Sequence, residues 1–250
     1  MTNVLPLTLL LLVSGLAAGC SPLQPKVTSE SEPAIRLAAT LITPTDIALE
    51  WSGKTTNAAG LIVEFATEPN GEYTTIQFLP PNQPRFTHPN LLPGTTFYYR
   101  VRAYYGPASN QVDLILPEPP PGEDLDKHDH AWIQPQTLPQ SARVTKQPIR
   151  GANAVGGAPT ELTATVMHSS GVRFTWTDHA GDEEGYLLEI KPRGSPEFSV
   201  AAVLDPDINS FGIITLPHEK RWSFRVRAFY YGKPSNLAHQ TTGREPAPAS

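Results

Sequence analysis

Apolar and polar residues alternate with a period of two at four places along the chain. The segments Ile47-Ala48-Leu49-Glu50-Trp51 and Val172-Arg173-Phe174-Thr175-Trp176 are one pair. Phe97-Tyr98-Tyr99-Arg100-Val101-Arg102-Ala103 and Trp222-Ser223-Phe224-Arg225-Val226-Arg227-Ala228 are the other. Alternation carried by β-branched and aromatic residues predicts half-buried antiparallel strands. Turn signals separate the strands at Pro69-Asn70-Gly71, Pro93-Gly94, residues 178–181 and Tyr231-Gly232-Lys233-Pro234. The alternation places Trp51, Leu61, Val63, Phe97, Tyr99 and Val101 in one core. Trp176, Tyr186, Leu188, Trp222, Phe224 and Val226 fall in a second.

These segments are copies of one another. Leu37, Trp51, Gly60, Val63, Glu64, Phe97 and Arg100 through Ala103 find counterparts 125 residues later in Leu162, Trp176, Gly185, Leu188, Glu189, Trp222 and Arg225 through Ala228. The offset holds without a gap until the last turn, where Tyr231 adds a residue and Ser109-Asn110 matches Ser235-Asn236. A register kept this long marks a duplication, in which each copy is one structural unit.

Each copy resembles a fibronectin type III domain. The resemblance rests on Pro33 and Pro159 before the first strand, Trp51 and Trp176, the runs Gly60-Leu61-Ile62-Val63-Glu64 and Gly185-Tyr186-Leu187-Leu188-Glu189, Leu91-Leu92-Pro93-Gly94-Thr95, and Arg-Val-Arg-Ala in both copies. It implies an all-β chain with two immunoglobulin-like sandwiches of about seven strands each, over residues 34–117 and 158–241. At the tyrosine-corner position this chain carries Phe97 and Trp222 instead. The resemblance is specific for fold and nearly silent on activity.

Residues 4–18 are apolar apart from Thr8 and the small Ser14 and Gly15, too short for a membrane span and suited to a signal peptide over 1–19. Leu16-Ala17-Ala18-Gly19-Cys20 resembles a bacterial lipobox, and Cys20 is the only cysteine. The resemblance implies cleavage before Cys20, its acylation and a tether over 20–33. Ser21 in place of aspartate then implies sorting to an outer membrane, with the chain in the bacterial cell envelope. A single cysteine excludes an intrachain disulfide, so both sandwiches must hold by packing alone.

Residues 118–157 form a Pro/Gly-rich linker with Pro119-Pro120-Pro121 and Gly156-Gly157, long enough to predict independent domains. Residues 242–250 read as a disordered tail. Asp124, Asp126, His128, Asp129 and His130 lack the spacing of a metal site, so no metal is expected. Trp132, aromatic within a polar linker, is expected to dock on one of the sandwiches.

Composition narrows the function. The 27 prolines suit strands and linkers rather than helices. Residues 34–117 carry 5 positive and 6 negative charges and residues 158–243 carry 8 and 10, so neither copy has the basic excess that nucleic-acid binding needs. No nucleophile elbow, zinc motif, phosphate loop or dinucleotide glycine motif is present, and no enzyme or cofactor is expected. The sheet face opposite each core carries Ile62, Tyr98, Arg100, Arg102 and Tyr104, then Leu187, Arg225, Arg227 and Phe229. Apolar and aromatic groups interleaved with arginine compose an interaction surface, and an open one is expected there. The expected function is a lipid-anchored, non-enzymatic binding or scaffold subunit that contacts another envelope or surface protein. The alternative is an adhesin or accessory module that binds polysaccharide.

Overall fold

The alternating segments form strands in the computed structural model of the chain, which describes residues 35–122, 129–141, 143–151, 156–215 and 220–243. The first copy contributes β1 (Ile35–Leu41), β2 (Ile47–Gly53), β3 (Gly60–Ala66), β4 (Thr74–Leu79), β5 (Arg85–His88), β6 (Thr96–Tyr105) and β7 (Val112–Ile115). The second contributes β8 (Thr160–His168), β9 (Gly171–Thr177), β10 (Gly185–Pro192), β11 (Ser199–Leu204), β12 (Ser210–Ile214), β13 (Arg221–Pro234) and β14 (Ala238–Thr241). A 3-10 turn at Ala131–Ile133 is the only helical element among the described residues. The chain is all-β, as expected.

Three antiparallel sheets carry these strands. β1-β2-β5 and β12-β9-β8 are three-stranded. An eight-stranded sheet of order β11-β10-β13-β6-β3-β4, with β14 on β6 and β7 on β13, lies between them. The first small sheet packs Ile35, Leu37, Ile47 and Leu49 against Leu61, Val63, Phe97, Tyr99 and Val101 of the large one. The second packs Leu162, Val172, Phe174 and Trp176 against Tyr186, Leu188, Phe224 and Val226. These are the two cores that the alternation predicts, with Trp51 and Trp222 packed at their margins. Each fully buried large side chain contributes about 1.5–3 kcal/mol.

The last strand of each copy lies in the other copy's sheet. β7 pairs with β13 from Val112↔Phe224 to Ile115↔Arg221, and β14 pairs with β6 from Ala238↔Tyr99 to Thr241↔Thr96. The sequence predicts a short hairpin turn after β6 and after β13; instead both strands run straight on and cross. They meet at Tyr105↔Tyr230, counterparts at the 125-residue offset, whose rings stack 5.5 Å apart. A pseudo-twofold axis passes through this pair.

The chemistry of the crossing explains the extended path. Gly106 has φ +129° and lies so close to the second copy that a Cβ would overlap the carbonyl oxygen of Ala228. Beyond the crossing, Ser109 N–H donates to Val226 O (2.8 Å) and Val226 N–H donates to Ser109 Oγ (3.0 Å). Ser235 makes the same two bonds with Val101 (2.7 and 3.0 Å). Asn110 clamps the backbone of Leu162 (2.9 and 3.1 Å), and Asn236 clamps that of Leu37 (2.8 and 2.9 Å). These bonds tie the end of each strand to the other copy. The boundary at 117/118 therefore does not separate two closed cores, and Pro33–Ser250 form one compact unit.

The linker does not act as a free spacer either. Trp132 is buried against Gly212 of β12, as expected of a docked aromatic. Gln136 N–H donates to Ser210 O (2.9 Å), and Leu138 exchanges bonds with the Asn209 side chain (2.6 and 2.9 Å). Ile149 is buried in the second core while its N–H donates to Asp182 Oδ1 (2.6 Å). The polar composition that reads as a flexible linker supplies the hydrogen bonds that strap it down.

Two outcomes follow. A protease site inserted between Gly122 and Asp129 will yield two fragments that elute as one species in native size-exclusion chromatography, because each holds a strand of the other. Separation of the fragments at micromolar concentration would contradict the exchange. His88, packed against Phe65 (5.3 Å) with Nδ1 3.1 Å from the Tyr99 hydroxyl, has its pKa lowered by burial. Its contribution is full above the unfolded value of about 6.5 and is lost as pH falls toward the lower folded value. Thermal scans from pH 7 to pH 5 will show a decline that His88→Gln makes shallower.

Candidate functional site: the joined inner face

Residues of β3, β6, β10 and β13 that point away from the two cores form a second face. On it lie Ile62, Glu64, Arg100, Arg102 and Tyr104, and their counterparts Leu187, Glu189, Arg225, Arg227 and Phe229. The sheet curls about the β6–β13 crossing until its edge strands β4 and β11 come into contact. The two inner faces then close on each other. Ile62, Tyr104, Leu187 and Phe229 form a third apolar cluster, flanked by Phe78, Val200 and Tyr231.

This corrects the expectation of an open surface. Ile62 and Leu187 are fully buried, Phe229 is 1% exposed, and Arg227 is buried with them. The interface composition read from the sequence is real, and its partner is the other copy of the same duplication. Arg100, Arg102 and Arg225 keep partial exposure, and Tyr98 stacks on His239 of the exchanged strand (5.6 Å). Cys20 lies outside the described residues.

Each face centres on a buried carboxylate. Glu64, 3% exposed, accepts from Arg100 Nε (2.7 Å), Arg102 Nε (2.9 Å) and Arg102 Nη2 (2.6 Å). Glu189, also 3% exposed, accepts from Arg225 Nε and from Arg227 Nε (2.9 Å) and Nη2 (3.3 Å). Aromatic rings cover the guanidiniums: Tyr73 over Arg100 (4.2 Å), Tyr231 over Arg102 (4.1 Å) and Phe198 over Arg225 (4.0 Å). Burial, with a smaller contribution from the charge of Glu189, pushes the Tyr104 phenol up to about 12.

Where the two halves fail to close fully, a cleft of about 450 Å3 remains. Phe78 and Pro81 of the first copy form one wall, Pro196 and Phe198 of the second form the other, and Tyr104 and Arg225 lie at its base. Clefts between packed units are favoured sites for ligands and peptide segments.

One cluster has the residue types of a metal site. The carboxylates of Asp178, Glu183 and Asp207 lie within 4.8 Å of one another. Lys146 Nζ already donates to Asp178 and to Asp207 (3.0 Å), and the Tyr186 hydroxyl donates to Asp178. Burial opposes the charge on Lys146, but its bonds to Asp178 and Asp207 hold its pKa above the usual lysine value. A lysine ammonium thus occupies the cation position and anchors the linker. The sequence pattern gives no sign of this pairing, whereas the Ser-Asn clamps and the Tyr73/Phe198 pair are visible as matches between copies.

No family model matches the chain, and no curated protein matches it. Among solved structures, it is similar to a protein from a study titled as a computer-based redesign of a β-sandwich protein. The identity is 28%, over 28% of this chain and 71% of that one, with a TM-score of 0.25.

The buried carboxylates set a stability contrast. Glu64→Gln removes a charge and leaves two arginines facing a neutral amide. Loss of one partner from a buried pair costs about 3–5 kcal/mol, and the partial exposure of these arginines reduces this to about 2–3 kcal/mol. Glu184→Gln, which breaks an exposed pair with Arg150, will cost under about 1 kcal/mol. Urea unfolding of the two variants at unchanged m-value measures the difference.

Proposed function

We propose that the protein is a lipid-anchored, non-enzymatic binding or scaffold subunit of the bacterial cell envelope, attached through Cys20 and acting through protein-protein contacts. Each half is a variant of the fibronectin type III domain whose last strand has been traded with the other half. The observation that carries the reading is the cleft between the halves. Its aromatic and proline walls and arginine base suit an extended protein segment, and the exchanged strands and buried carboxylates hold those walls rigid. The lipobox pattern at Cys20 supports placement in the envelope, with the outer membrane as its site.

A second reading, an adhesin or accessory module for polysaccharide, draws on Phe78 and Phe198 as stacking platforms in the same cleft. One experiment separates the two. The chain is purified from detergent-solubilised membranes as wild type, Cys20→Ser and Phe198→Ser. The proposal expects Cys20→Ser to leave the membrane fraction, and a stoichiometric protein partner of the wild type to be lost from Phe198→Ser. Sedimentation of Cys20→Ser with membranes would sink the anchor. Retention on insoluble polysaccharide that Phe198→Ser abolishes, with no protein partner, would replace the first reading by the second.

A further inference from the structure

Beyond Glu189 the inner face of the second half continues outward along β10, β13 and the exchanged β7. Lys191 pairs in register with Ser223, and Ser223 with Asp113. One step further, Pro192 pairs with Trp222. The ladder ends there: Arg193 lies in the turn that follows β10, and Arg221, the first residue of β13, pairs with Ile115 of the first copy's strand. Lys191, Arg193 and Arg221 line a groove of about 490 Å3.

Among the described residues, the two arginines have no ion-pair partner within the fold. Arg193 and Arg221 are exposed, and among the described residues no carboxylate lies within ion-pair distance of either. Asp113, the one acid in the groove, is taken by Ser223 Oγ and Gln111 Nε2 (both 2.6 Å), which hold its carboxyl below the usual range. Lys191 reaches Gln111 (3.5 Å) and lies over the Phe198 ring (4.8 Å). The indole N–H of Trp222, which lines the same groove, has no hydrogen-bond partner among the described residues.

The duplication supplies a control. At the 125-residue offset, Lys191, Arg193 and Arg221 correspond to Ala66, Glu68 and Thr96. The first half builds the same ladder with no cation at these places. The frame does not need them.

We propose that this groove is a binding site for a phosphate group. Two exposed guanidiniums and an ammonium that line one groove match a tetrahedral oxyanion that accepts from several forked donors at once. Three cations against one engaged carboxylate leave a net positive field to draw it in. The phosphate belongs to a free phosphorylated solute or to a lipid headgroup, and the site reads the group they share. This site is separate from the cleft and does not rest on the function proposed for it.

The test uses the full chain with Cys20→Ser, so that no anchor contributes. Two probes are applied at low salt: pyrophosphate by calorimetry, and phosphatidylglycerol in phosphatidylcholine vesicles by co-flotation. Arg193→Glu with Arg221→Thr installs the residues that the first half tolerates at these positions. Lys54→Thr with Arg85→Glu makes the same charge change far from the groove. The proposal expects at least one probe to bind, with affinity lowered tenfold or more in the groove variant and by less than threefold in the control. Pyrophosphate binding assigns the site to free phosphate, and vesicle binding alone assigns it to a headgroup. Absence of binding by both probes, or equal losses in the two variants, overturns it. A groove variant with a melting temperature well below the wild type would also overturn it, since the cations would then serve the fold.

Discussion

The structure depends on the antiparallel crossing of two long strands at Tyr105 and Tyr230. Gly106 permits the close approach, and Ser109 and Asn110 beyond it bond to the backbone of the opposite half. Once the strands cross, each core is completed by a strand from the other copy. Neither half is then a closed unit, and the loop-closure entropy of the linker is offset by contacts on both sides of the axis. The curl of the large sheet, the third apolar cluster and the cleft all follow from the same crossing.

The buried carboxylates contribute specificity more than net stability. Removing Glu64 and its arginines from water costs much of what their attraction returns. What the arrangement enforces is register. Glu64 holds Arg100 and Arg102, two residues apart on one neighbouring strand, and a slip by one residue would turn both arginines into the apolar core. In both copies the ladder on the other side of the strand shifts at the carboxylate, between Val63 and Glu64 and between Leu188 and Glu189. The irregularity recurs with the charge, which points to a feature kept with the duplicated frame.

Much of this was legible in the sequence, and the limits have a physical cause. Period-two alternation identifies strands and assigns Val63, Tyr99, Phe224 and Val226 to cores, because burial on one face is a local property of the pleat. It cannot say whether the other face meets water or a second copy, since Ile62 and Leu187 alternate in the same way in either case. Strand exchange is hidden for a related reason. The final strands of the two copies carry equivalent residues, so each fits either sheet, and only the path through Gly106 and Gly232 decides. The linker misleads through composition: its prolines and polar groups read as a spacer, while Trp132, Ile149 and Lys146 act as anchors whose partners are distant in sequence.

Comparison of the copies with each other carries further than comparison of either with other proteins. Positions that match between the copies, such as Glu64 and Glu189 or, past the inserted Tyr231, Asn110 and Asn236, build the common frame. Positions that differ have been released from it. Tyr231, the one inserted residue, pairs with Tyr104 and covers Arg102, while the corresponding Arg227 instead donates Nη1 to Gly106 O (2.6 Å). One extra residue at the crossing thus makes the two ends of a near-symmetric molecule chemically distinct. Lys191, Arg193 and Arg221 extend that difference to the outer end of the sheet. A duplicated frame that is stable without them leaves those positions open to selection for binding rather than for folding.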